Sequence, residues 1–311
     1  MATYLVTGGA GFIGSHLVEG LIGLNHSVVV LDNLSTGHRE NVPPEAEFVK
    51  GDLLDESLLA KQLARVEGCF HLAAIPSAPR SLEEWFSLHR INLSGTTLLF
   101  HLIRKSQRKL PVVYASSSAI YGHCAENFLK EDHLPHPMTP YGADKYGCEL
   151  HASVATHTCE IPTLGLRLFN IYGPRQDASS PYSGVISLFI RQLLGKKPLT
   201  IYGDGEQSRD FVYVADVVNA FIRGMALLAS GTTGGPWITN VCRGESQTIH
   251  DLIHALETLT GLKALRDYAP ARAGDPRHSQ GDPSRLKELL GMSCDTTFLE
   301  GLRKTVPDVA A

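Results

Sequence analysis

Apolar residues in the first half of the chain gather into short unbroken runs. They predict strands at 3–7, 27–32, 46–50, 68–72 and 111–116, each buried on both faces as in a parallel sheet. Helical spacing fills the gaps and predicts helices near 12–24, 55–65 and 83–106. Strand alternating with helix reads as repeated βαβ units, with right-handed crossovers and a doubly wound sheet. A helix at 141–158 and a strand at 162–168 continue the pattern. Between them, Gly122 to Pro140 is polar and proline-rich. It reads as a loop over the C-terminal edge of the sheet, where ligands bind in such folds.

After Asn170 the pattern loosens. Gly173–Pro181 reads as irregular, followed by a helix near 184–195, a strand near 199–202 and helices near 214–229 and 248–260. The expected fold class is α/β: a doubly wound parallel sheet over residues 1–170, to which later segments, roughly 208–242, return. A smaller, interleaved part occupies 171–311. The tail after Pro307 is expected to fray.

Composition narrows the classes. With 311 residues, 43% of them hydrophobic, the chain can bury one large core or two linked ones. A net charge of −4 and a pI near 6.4 give no electrostatic reason to expect nucleic acid or an anionic membrane as partner. No apolar run approaches a membrane span. The chain begins on a strand of the fold, so no signal peptide is expected before it. Cys69, Cys124, Cys148, Cys159, Cys242 and Cys294 form no Cys-x-x-Cys pair and suggest no disulfide framework. They read as mostly buried thiols in a reducing cytoplasm. His133 and His136 lack a further ligand, so no metal is expected.

Two motifs carry chemistry. The first strand runs into Gly8, Gly11 and Gly14 and then a helix. Gly8 permits the tight turn, Gly11 lets a pyrophosphate approach the backbone, and Gly14 lets helix and sheet pack closely. The helix N-terminus offers free N–H groups and partial positive charge to phosphates. Asp32 ends the second strand about 20 residues further on, placed to bond a ribose 2′-hydroxyl. It would repel a 2′-phosphate, which favours NAD over NADP. In the second motif, Tyr141 and Lys145 share one helix face. A neighbouring cation favours phenolate, making Tyr141 a candidate general base. The run Ala115–Ala119 ends an apolar strand at the same edge.

Together these motifs resemble the extended short-chain dehydrogenases/reductases, specifically the NAD-dependent sugar epimerase/dehydratase family, from residue 3 to about 290. UDP-N-acetylglucosamine 4-epimerases are the group most alike. The resemblance implies a Rossmann sheet, bound NAD and a homodimer through helices near 83–106 and 141–158. Its cofactor residues fall on Gly8, Gly11, Phe12, Ile13, Gly14, Asp32, Asn33, Ser35, Thr36, Gly37, Asp52, Leu53, Leu72, Ala73, Ala74, Asn92, Ala115 and Phe169, with Tyr141 and Lys145. Its catalytic serine, counted back from Tyr121-Gly122, falls on Ser117. Substrate residues fall on Ser77, Arg80, Ser117, Tyr141, Asn170, Val185, Thr200, Tyr202 (over the base), Arg209 and Arg272 (at the diphosphate), Asp275 and Ser279. Paired arginines form charge-assisted hydrogen bonds to a diphosphate that lysine forms less well.

The implied activity is reversible C4 epimerisation of a UDP-hexose through a transient 4-keto sugar, with hydride transfer to and from tightly bound NAD. A 4,6-dehydratase would carry an Asp-Glu pair directly after the catalytic residue, where this chain has Ser118 and Ala119. Ser77-Ala-Pro-Arg-Ser81 and Gly173-Pro-Arg-Gln-Asp177 resemble the N-acetylglucosamine group. Ser279 stands at a wall position where a bulky tyrosine would exclude an acetamide, so UDP-GlcNAc and UDP-GalNAc are the expected pair, with UDP-Glc and UDP-Gal as further substrates. Two alternatives remain: a UDP-uronic acid epimerase or decarboxylase, with Arg80 as the cation for a C6 carboxylate, and a non-catalytic NAD-binding regulator.

Overall fold

The computed structural model describes the chain except residues 123–127, 179–182, 232–234, 236, 272–275 and 311, and only the backbone of 308–310. Seven parallel strands form the central sheet: β1 (Thr3–Thr7), β2 (Ser27–Asp32), β3 (Glu47–Lys50), β4 (Gly68–His71), β5 (Val112–Ser117), β6 (Thr163–Leu168) and, later in the chain, Trp237–Val241. In space the first six run 3-2-1-4-5-6, and Trp237–Val241 lies outside β6. The order reverses between β1 and β4, where a doubly wound sheet opens a crevice for ligand.

Neighbouring residues on each strand serve opposite faces. Leu5, Val29, Cys69 and Val112 pack with Leu59, Leu99 and Ala152, whereas Val6, Val30, Phe70 and Val113 pack with Leu17, Val18 and Phe221. Both sets are buried, which is why the strand sequences are apolar throughout. Each fully buried Leu or Val contributes about 1.5–3 kcal/mol.

Helices α1 (Phe12–Gly23) and α2 (Glu56–Leu63) lie as expected. The single helix expected over 83–106 does not form. The segment folds as α3 (Ala78–Glu83), α4 (Trp85–His89), a π-turn at Arg90–Ser94 and α5 (Gly95–Lys105). Glu84 breaks the first junction with φ −115° and ψ 40°. The wide turn turns Asn92 inward, where its side chain accepts from Ile75 N–H at 2.8 Å. Inserted π-turns of this kind commonly mark functional positions. Helix α6 (Pro140–Cys159) starts on a Thr139 cap, with Pro140 in its first turn.

The second half is more regular than its sequence suggested. Strands β7 (Asn170–Tyr172), β8 (Leu199–Tyr202), β9 (Ser208–Arg209), β10 (Phe211–Tyr213), β11 (Trp237–Val241), β12 (Gln247–Thr248), β13 (Arg266–Ala269) and β14 (His278–Ser279) alternate with helices α7 (Val185–Leu194), α8 (Val214–Ala229), α9 (Ile249–Thr260), α10 (Ser284–Leu290) and α11 (Phe298–Ala310). Residues 170–172, given no element from the sequence, form β7 and pair with β10. A third core gathers Tyr172, Phe189, Ile190, Phe211, Leu252 and Leu302 beneath the site. Helix α8 packs on α1 and the sheet. Among the described residues no helix is long and apolar enough to cross a membrane.

Candidate active site

A cleft of about 1100 Å³ runs along the C-terminal edge of the sheet, from the glycine turn to β14. At one end the backbone builds it. Gly8 has φ +73°, and a Cβ on Gly14 would lie 2.8 Å from Gly9 Cα. Gly11 caps α1 without a side-chain hydrogen bond, so the N–H groups of the first turn keep their donors for a ligand. The Asp32 carboxylate accepts from Ala10 N–H at 3.0 Å and Leu34 N–H at 2.8 Å. Those bonds anchor the acid at the cleft and fix the turn around it. Phe12, Ile13, Asn33, Ser35, Thr36, Asp52, Leu53, Leu72, Ala73 and Ala74 line the same end. A bare helix terminus, a side-chain-free approach and an anchored acid fit a dinucleotide.

Gly37 and Asn92 lie behind this wall. A Cβ on Gly37 would meet the Ala10 backbone at 2.8 Å, so this residue braces the glycine turn from outside. Asn92 is buried and holds the Ile75 backbone of the β4 loop.

His71, at the end of β4, is locked between two hydroxyls: Thr7 Oγ1 at 2.8 Å from Nδ1 and Thr96 Oγ1 at 3.0 Å from Nε2. Thr96 spends its own proton on Asn92 C=O, so it accepts from Nε2–H and Thr7 donates to Nδ1. Burial, helped by the nearby Lys145 charge, depresses the imidazole to about 3, so it stays neutral.

In the middle of the cleft, α6 presents Tyr141 and Lys145 against the end of β5. Gly142 allows this closeness, because a Cβ there would sit 2.6 Å from Ala119 C=O. Lys145 Nζ donates to Ala115 C=O at 2.8 Å and stands 5.9 Å from the Tyr141 ring centroid. Tyr141 N–H donates to Ser81 Oγ at 3.2 Å, tying α3 to the start of α6. Ser117 lines the cleft and accepts from Ala119 N–H at 3.1 Å, leaving its own proton to donate. Ser116 is spent differently: it donates to Glu149, which also pairs with Arg167 at 2.8 Å. That buried pair continues through Tyr121 to Asn240 and anchors the loop at Leu129 and Glu131.

The far end is made of side chains from short strands. Ser77, Arg80, Phe169, Asn170, Val185, Tyr202, Arg209 and Ser279 all line it. Strand β9 pairs with β14, placing Arg209 opposite Ser279. Thr200 lies off the cleft on β8, two residues before Tyr202. Arg272 and Asp275 lie outside the described residues. The bare N-terminus of α7, with Gly184 at its cap, also opens here, a second place for phosphate.

Sequence reasoning passed over Asp210. It is buried, and its carboxylate accepts from Arg243 N–H and Gly244 N–H, both at 2.9 Å, and Gly281 N–H at 3.3 Å. It thereby ties two loops, at Arg243–Gly244 and at Gly281, to its own strand junction beneath Arg209 and Ser279. Burial pushes its carboxyl up to about 6 despite those donors. The only signal was its place in Ser208-Arg-Asp-Phe-Val212, where the arginine drew the attention. Gln176, Asp177 and His278 also line the cleft and had been given no role.

Residues 4–242 match the family model described as "NAD dependent epimerase/dehydratase family". A UDP-glucose 4-epimerase of Mycolicibacterium smegmatis is 35% identical, with 97% of this chain and 96% of that protein covered. The chain belongs to the NAD-dependent epimerase/dehydratase family. The solved UDP-glucose 4-epimerase of Thermotoga maritima, with UDP-glucose, superposes with a TM-score of 0.93 at 36% identity, covering 98% of both chains. A UDP-N-acetylglucosamine 4-epimerase of Methanobrevibacter ruminantium, in complex with UDP-N-acetylmuramic acid, gives 0.92 at 36% identity, covering 99% of this chain and 97% of that one. The chain is therefore an NAD-dependent enzyme on a Rossmann fold. Its glycine turn, Asp32 and Lys145 are the groups that fit the cofactor.

Proposed function

We propose that this protein is a UDP-hexose 4-epimerase that interconverts UDP-GlcNAc and UDP-GalNAc and also takes UDP-Glc and UDP-Gal. One observation carries the reading: Tyr141, Lys145 and Ser117 meet in a cleft continuous with both the glycine turn and the Arg209–Ser279 end. Bound NAD supplies a hydride acceptor and donor for the sugar C4. Tyr141 takes the proton from the 4-hydroxyl and later returns it. Ser117, whose proton is uncommitted by its bond to Ala119, steadies that oxygen. Lys145, fixed on Ala115 C=O, directs the rest of its ammonium into the cleft and puts positive charge beside the phenol. Arg209 and the α7 terminus hold the diphosphate while the 4-keto ring turns over and presents its other face. Ser118 and Ala119 offer no acid–base pair for loss of a C6 hydroxyl, which supports epimerisation over dehydration. Ser279, a small side chain on the cleft wall, supports room for an acetamide.

Incubation with each UDP-sugar, with products resolved by chromatography, tests the proposal. Equilibrium mixtures of the 4-epimers are expected; no conversion of any neutral UDP-hexose, beside a working control epimerase, rejects it. A homodimer belongs to the same reading. It is supported by apolar residues left exposed on α4 and α6, Trp85 (62%), Phe86 (75%), Leu150 (52%) and Val154 (57%). Sedimentation equilibrium at the single-chain mass of 33.8 kDa would sink that part. The buried thiols Cys69, Cys148, Cys242 and Cys294 support a reducing, cytoplasmic setting.

A further inference from the structure

Arg80 is a cationic side chain on the cleft wall close to the catalytic helix. The next residue, Ser81, accepts from the Tyr141 N–H. A lone guanidinium here would welcome a negatively charged sugar. It is not alone. Arg80 Nε lies 2.6 Å from Glu84 Oε1, and Nη2 lies 3.1 Å from Oε2. This two-point pairing takes the Nε–Nη2 edge of the guanidinium, an edge that could otherwise grip a carboxylate of the substrate. Arg80 holds the Glu84 carboxyl below its usual range by that hydrogen bond, so the acid stays ionised near neutrality.

We infer that Glu84 is a specificity-determining residue: by occupying Arg80 it biases the cleft toward sugars uncharged at C6 and against uronic acids. A uronic acid must displace Glu84 or share the guanidinium with it, and two carboxylates on one cation repel. A neutral 6-hydroxyl meets neither cost. The inference rests on the reading of the cleft as a UDP-hexose site and adds the charge rule that site follows. A purely structural role is the competing account, because Glu84 also forms the junction between α3 and α4. The two accounts differ in one measurable respect. Structural loosening weakens all sugars alike, whereas unmasking Arg80 helps only the charged one.

The test is calorimetric binding of UDP-glucuronic acid and UDP-glucose to the NAD-loaded protein, in a Tyr141→Phe background that halts turnover. Glu84→Gln should raise the affinity for the uronic acid relative to UDP-glucose about fivefold, the scale of an exposed ion pair. Adding Arg80→Gln should erase the gain. The inference is overturned if the ratio stays put, if both ligands weaken equally, or if the gain survives loss of Arg80. Turnover of any neutral UDP-hexose by the wild type reports separately on the epimerase reading. Its absence would remove that reading while the binding ratio still judged Glu84.

Discussion

The two ends of the cleft are built from different material. At the β1–α1 end the ligand-facing surface is backbone: a glycine turn, the first turn of a helix and an acid pinned by two N–H groups. At the β9–β14 end it is side chain: Tyr202, Arg209 and Ser279, carried on strands of two to four residues. A backbone cradle recognises what all its ligands share and tolerates almost no substitution. A side-chain wall can be redrawn one residue at a time. Tyr141 and Lys145, the proposed catalytic pair, stand between them on a helix that packs against both sheet and loop.

The largest effect expected is at the junction. Tyr141→Phe should lower kcat by about 1000-fold, the middle of the range for a positioned acid–base, with NAD still bound by absorbance. A variant that keeps a tenth of its turnover would remove Tyr141 from the chemistry. Next comes the backbone end. Gly14→Ala drives a Cβ into the Gly8 carbonyl and Gly9 Cα, so a loss of about 3 kcal/mol by denaturant unfolding is expected, together with loss of NAD. Unchanged NAD content would undo the claim that this end is intolerant.

The side-chain end should instead respond selectively. Ser279→Tyr should reduce kcat/KM for UDP-GlcNAc about 50-fold more than for UDP-Glc. Equal losses would discredit the wall argument. Arg209→Lys should raise KM for either sugar about fivefold with kcat little changed, since ammonium replaces a forked donor; a fall in kcat alone would argue against a binding role.

Two buried titratable groups along the cleft, His71 and Asp210, shift stability in opposite directions with pH and sharpen the comparison. His71 has a folded pKa near 3 against 6.5 unfolded. The unfolded chain therefore binds the extra proton between those values, and stability is lost as pH falls from about 6.5 toward 3. Asp210 has a folded pKa near 6 against 3.8. Its contribution is present below 3.8 and lost as pH rises through about 6. Between pH 7 and pH 5 the His71 effect should cost about 1–2 kcal/mol, read from thermal melts. Because Asp210 offsets part of this loss, the His71 effect is read as the difference between wild type and His71→Asn, and an acid limb no flatter in the variant would show that the imidazole does not contribute.

How much of this could be read from the sequence follows the same division. Gly8, Gly11, Gly14 and Asp32 are close in sequence because a turn and one βαβ unit bring them together; local spacing is enough. Tyr141 and Lys145 are one helical turn apart for the same reason. The break at Glu84 and the π-turn at Arg90–Ser94 were not legible, since residues 83–106 carry helical spacing and the bond between Asn92 and Ile75 that accompanies the wide turn joins segments apart in sequence. Asp210 escaped because its partners Arg243, Gly244 and Gly281 lie far along the chain. Gly37 and Asn92 were assigned to the cofactor but stand behind its wall, a matter of depth that sequence spacing does not encode.

By itself the sequence determined the doubly wound sheet, the glycine turn with its acid, and the tyrosine–lysine face, because hydrophobic period and short-range spacing are local properties of a chain. Only the tertiary structure decided which face of each loop meets the cleft, which charges are already spoken for and which acid is buried. Those outcomes depend on contacts between segments tens to hundreds of residues apart, where burial and competition among partners set the energy.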